Sequence, residues 1–75
     1  MEEKIFDSSY LLKGIYNSES KELIIVFKAN EQPKMFYEVS QQVWNEMKES
    51  ASAGSFYHQK IKKVYEYSVW GEGQE

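Results

Sequence analysis

The sequence has no cysteine and no arginine, and histidine and proline occur once each. Without thiols there is neither a disulfide framework nor a thiolate zinc site, and one imidazole cannot build a multi-histidine centre. No metal and no cofactor is expected, so stability must come from a hydrophobic core. The lack of arginine removes the planar, bidentate grip on phosphates and guanine edges. Any anion would have to be held by lysine charges and backbone amides. Apolar runs are short, none approaching the ~20 residues of a membrane-spanning helix. The start, MEEKIFDSS, lacks the basic opening and apolar middle of a secretion signal, which makes a cytoplasmic location the expectation.

What the chain does have is aromatic surface: four Phe, six Tyr and two Trp in 75 residues. Each ring buries up to roughly 150–250 Å² when enclosed, which suits a packed domain better than a disordered chain. A chain this short holds a single core, so residues 1–70 are read as one domain and 71–75 as a flexible polar tail. The formal charge of −3 weighs against a general nucleic-acid binder. The charge is unevenly spread: from Ser50 to Tyr65 the charged residues are Lys60, Lys62 and Lys63 alone, giving +3 there and leaving −6 elsewhere.

Periodicity gives an α+β fold: a small antiparallel sheet of three to four strands, followed by and packed against two short helices. Leu11, Lys13 and Ile15 alternate with Tyr10, Leu12 and Gly14 up to the turn signal NSESK. ELIIVFK, Glu22 to Lys28, is the clearest strand, with Leu23, Ile25 and Phe27 on one face and Ile24 and Val26 on the other. Because both faces are apolar, Ile24 and Val26 point to something covering the second face, a homodimer being one candidate. After ANEQPK, the segment MFYEV returns as a third strand. Ser40 then reads as the N-cap of a helix with an apolar stripe of Val43, Trp44, Met47 and Ala51. SASAG breaks that helix, with Gly54 as its closing glycine and Ser55 as the cap of a second helix. Tyr57, Ile61, Val64 and Tyr65 are its expected inward stripe, and Tyr65 to Trp70 a possible fourth strand.

Catalytic chemistry has little to build on. His58 has Asp7 or a glutamate as its only conceivable triad partners, and no nucleophile elbow is present. Glu46 and Glu49 belong on an outer helix face, and Ala53-Gly54-Ser55 is far from a phosphate-loop pattern. A non-enzymatic binding module is expected. One reading places a small anionic or nucleotide-type ligand at the second helix N-terminus, with Ser52, Gly54, Ser55, His58, Lys60 and Lys63 as its contacts. The alternative is protein–protein interaction through Ile24, Val26, Tyr10 or Trp70, either as a homodimer or as a phage-type inhibitor of a host protein.

The segments SSYLLKGIY, LIIVF, FYEV and ASAGSFYHQKIKKVY, in that order and spacing, resemble the KTSC domain family, named for its occurrence at the C-terminus of some lysyl-tRNA synthetases. The resemblance runs from about Ile5 to Tyr67. Its matched positions are Ser9, Leu11 and Tyr16 early, then Ser52, Gly54, Phe56, Tyr57, Ile61 and Tyr65 late. His58 stands where the family commonly has asparagine, and Ser40 where a proline often opens the helix. The resemblance implies a fold more than an activity, and a short stand-alone bacterial or phage accessory protein. Through the synthetase association it also implies, as a third function, an accessory contact with RNA or tRNA.

Overall fold

The computed structural model describes residues 1–28 and 31–69. Five antiparallel strands form one sheet in sequence order: β1 (Glu2–Ile5), β2 (Leu11–Asn17), β3 (Glu22–Phe27), β4 (Lys34–Phe36) and β5 (Tyr67–Val69). Between β4 and β5 the chain crosses one face as α1 (Gln41–Glu49) and α2 (Ala53–Phe56), the latter running into a π-helical turn over Tyr57–Ile61. The fold is α+β, as the periodicity indicates, with more strands than expected. The additional one is β1, whose four residues EEKI offer no apolar alternation. The expected last strand is β5, while Trp70 and the polar tail lie outside the described residues.

The inner face of the sheet meets the helices. Leu11, Tyr16, Leu23, Ile25 and Phe36 pack there against Trp44, Met47, Tyr57 and Ile61, all at 1% exposure or less. A bulge between Leu11 and Lys13 interrupts the pairing of β2 with β3 and inverts the side-chain alternation. Leu11, Gly14 and Tyr16 therefore share the buried side, and Ile15 turns to the other face, against the plain alternation of the sequence. Gly14 sits where α1 approaches closest: a Cβ there would lie 3.0 Å from Trp44 Cζ3 and 3.2 Å from Phe6 Cε2.

The helices form largely for the expected reasons, with four corrections. Ser40 caps α1, its Oγ accepting from the Val43 amide at 3.2 Å, and Trp44 and Met47 are its buried residues. Ala51, expected on the same stripe, is exposed and lies beyond the helix end at Glu49. Gly54 does not close α1. Ser50 does so in an extended conformation, its hydroxyl linked to the Ser52 backbone at 3.1 and 3.2 Å, so that the break falls four residues earlier than Gly54. The cap of α2 is Ser52 and not Ser55: Ser52 Oγ accepts from the Ser55 amide at 3.3 Å. The π turn then takes five residues, Lys62 N donating to Tyr57 O at 2.8 Å, and the helix stops. Tyr57 and Ile61 are buried, but Val64 falls in the following turn and is 63% exposed.

Candidate functional site

The six residues expected around the second helix divide into two groups. Ser52, Gly54, Ser55 and His58 lie along α2 and the start of the π turn, beside the loop that precedes β2. Ser8 anchors that loop: its Oγ accepts from the amides of Tyr10 and Leu11 at 3.0 and 3.1 Å and would lie 3.5 Å from a Cβ placed on Gly54. The Tyr10 ring stacks on His58, with centroids 5.3 Å apart and planes at 17°. Two segments more than forty residues apart in sequence are thus joined into one surface. Lys60 is two positions from His58, a spacing at which helical side chains do not face each other, and Lys63 follows the helix end. The Ser52 hydroxyl is engaged as the cap, and α2 has only four residues.

Below this surface the rings form a continuous row. Tyr57 touches Tyr10, Phe27 and Phe36 at centroid distances of 6.1, 5.5 and 5.8 Å, and Phe36 meets Tyr67 at 5.3 Å. The Lys34 ammonium lies over Tyr67 and Phe27 at 4.9 and 5.6 Å from the centroids, a cation–π clasp at the end of the row. Tyr10 OH donates to Glu31 Oε1 at 3.0 Å. The Tyr57 hydroxyl is buried with no hydrogen-bond partner, and burial pushes its ionisation well above the usual tyrosine range, with the neighbouring Tyr10 and Glu31 adding to the shift. The row is core at Phe27, Phe36 and Tyr57 and reaches the surface at Tyr10 and Tyr67. A cavity of about 370 Å³ is lined by Tyr37, Glu38, Val64, Tyr65 and Glu66, and one of about 190 Å³ by residues of β1, α1 and the α1–α2 break. Neither takes a wall from the six expected contacts.

The outer face of the sheet is the other candidate. By strand register, Glu3, Ile15, Ile24, Met35 and Ser68 form one row across all five strands, and Ile5, Lys13 and Val26 form the next. Ile15, Ile24, Val26 and Met35 are half-buried and Ile5 is 69% exposed. No helix of the described chain covers this side, since α1 and α2 both pack on the inner face. Its edges are polar: Lys13 and Glu3 pair at 2.8 Å beside β1, and the Tyr37 and Ser68 hydroxyls lie 2.6 Å apart beside β5. The combination is an apolar centre with a polar rim.

The model of the KTSC domain matches residues 7–65. The chain belongs to the KTSC domain family. Its fold is also that of a KTSC domain protein from Yersinia pestis, whose crystal structure superposes with a TM-score of 0.86 at 20% identity over 93% of this chain and 97% of that one. No curated protein matches the sequence. At that identity the structural likeness speaks for the KTSC architecture alone.

Within this KTSC domain, sequence reasoning located Ile24 and Val26 on the open face and missed Ile15, Met35 and Ile5 beside them. Met35 was legible in principle, because β4 alternates Lys34, Met35, Phe36, but three residues are a weak signal. Ile15 was hidden by the bulge, and Ile5 by the polar strand that carries it. Trp70, expected at the interface, lies outside the described residues. No group of three or more His, Asp or Glu side chains with metal-binding geometry occurs among the described residues, and no helix there is long and apolar enough to cross a membrane.

Proposed function

We propose that this KTSC domain is a non-enzymatic protein-interaction module that docks through the outer face of its sheet. The observation that carries the reading is the one-sided architecture: both helices pack on the inner face and bury its centre, while Ile15, Ile24, Val26 and Met35 form an apolar band with no cover of its own. Contiguous apolar surface with a polar rim is what protein interfaces present, and a domain of this size has little apolar area to leave unused. A photo-crosslinking residue at Met35, compared with one at Gln42 on the exposed side of α1, tests this in the native host. An adduct at Met35 and none at Gln42 is expected. Equal labelling at both positions, or none at either, overturns the reading.

A second reading, a small anionic or nucleotide-type ligand near α2, is favoured by the Tyr10–His58 stack beside Gly54 and Ser55. The exposed ring of His58 offers a face for a base, and the Gly54 amide offers a donor, that of Ser55 being taken by the Ser52 cap. Calorimetry with mononucleotides at low and high salt separates the two. Saturable heat that is lost in His58→Ala favours the ligand, and its absence leaves the outer face as the site.

A further inference from the structure

We infer that the occupant of the outer face is a second copy of this chain, laid face to face about a twofold axis that runs across the strands through the middle of β3. The inference rests on the reading that this face is the docking surface. β3 is the third of five strands, so it is the centre of the face. Its outward positions are Glu22, Ile24 and Val26, and alternation carries Lys28 to the same side, where its amide prolongs the ladder by donating to Tyr10 O at 3.0 Å. The order along the central strand is therefore acid, Ile, Val, base.

A twofold axis perpendicular to that strand reverses the order in the second copy. Glu22 of each copy then meets Lys28 of the other, twice, and Ile24 meets Val26 between them. The pattern is complementary to itself in one orientation and repulsive in the other, which is the requirement of an isologous contact. The remaining charges on the face do not oppose it, because Glu3 and Lys13 neutralise each other at 2.8 Å. A chain of net charge −3 can thus approach its own copy without matching like charges there. Edge-to-edge pairing is the less favourable alternative on the β1 side: three of the four residues of β1 are charged, a pattern that blunts sheet edges.

Area sets the strength of the contact. Strands of four, seven, six, three and three residues, at ~3.4 Å rise and ~4.8 Å spacing, give a face of about 375 Å² per copy. The pair would bury roughly 750 Å², below the range of standard specific interfaces, which calls for a weak, concentration-dependent dimer rather than an obligate one.

Charge reversal provides the test. Sedimentation velocity on the full chain, from about 5 to about 500 µM, is expected to show the wild type passing from monomer to dimer with a micromolar dissociation constant. Glu22→Lys and Lys28→Glu should each weaken the self-association at least about tenfold, since each places like charges in contact twice. Mixing the two variants should restore a dimer, because every contact is again between opposite charges. Both positions lie outside the core, so folding is preserved and circular dichroism checks it. A wild type that stays monomeric throughout, or a mixture that does not recover, overturns the inference. If Met35 still crosslinks to a different protein in the host, only the identity of the occupant has failed. If it crosslinks to nothing, the docking surface itself has failed.

Discussion

Tyr16 and Tyr57 carry the same phenol into the same core, and their hydroxyls end differently. Tyr16 OH donates to the Val39 carbonyl, while Tyr57 OH is buried without a partner. Tyr16→Phe leaves that carbonyl without its donor and is expected to lose about 1–2 kcal/mol, whereas Tyr57→Phe removes an uncompensated polar atom and should be neutral or stabilising by up to ~1 kcal/mol. Denaturant midpoints of the two variants measure the contrast. An equal loss in both would mean that the Tyr57 hydroxyl finds a partner in solution. Gly14 is decided by space in the same way. The methyl of Gly14→Ala would press on the Trp44 and Phe6 rings at 3.0 and 3.2 Å, and overpacking of a core at that distance costs about 1–3 kcal/mol. A thermal midpoint equal to the wild type would show that α1 can retreat from the sheet without loss.

At the scale of elements, what the sequence revealed depended on whether the stabilising partner was local. Ser40 was recognisable as a cap because its acceptor atom and its donor, the Val43 amide, are three residues apart. The same rule applied to SASAGS, Ser50 to Ser55, has three serines to choose from, and Ser55 is the wrong one: the cap is Ser52, again three residues before its donor. Ser52→Ala is therefore expected to lower stability by about 1 kcal/mol, while Ser55→Ala, which removes no cap, should stay within about 0.5 kcal/mol of the wild type. Thermal melts of the pair discriminate, and the reverse order would return the cap to Ser55. The strand EEKI was illegible for the opposite reason. Its inward residues, Glu2 and Lys4, are polar, and Glu2 is held by Trp44 and Lys48, more than forty positions away. The open face was half legible: Ile24 and Val26 follow strict alternation in β3, whereas the bulge in β2 moved Ile15 across the sheet where no sequence period announces it.

For the molecule as a whole, the one-sided sheet places opposite demands on its two faces, and Glu2 shows how the first strand is kept on the correct one. Its Oε1 accepts from Trp44 Nε1 at 2.6 Å and from Lys48 Nζ at 2.7 Å, tying the beginning of the chain to α1. The hydrogen bond from Lys48, with that from Trp44, lowers the ionisation of this carboxyl below its ordinary range. A carboxylate whose folded-state pKa is depressed contributes stability that is present above its unfolded-state pKa, near ~4.3, and is lost as pH falls through the lower folded-state value. Glu2→Gln keeps an acceptor for Trp44 and discards the charge. The variant should consequently be less stable than the wild type at neutral pH, by an amount that is constant from about pH 6 to 8 and shrinks below about pH 4.5. Added salt should narrow the same gap at neutral pH, because Lys48 and Glu2 are partly solvated. Stability curves of the two proteins from pH 3 to pH 8 test this: a gap that persists unchanged into acid would mean that the ionised carboxylate does not fasten β1 to α1.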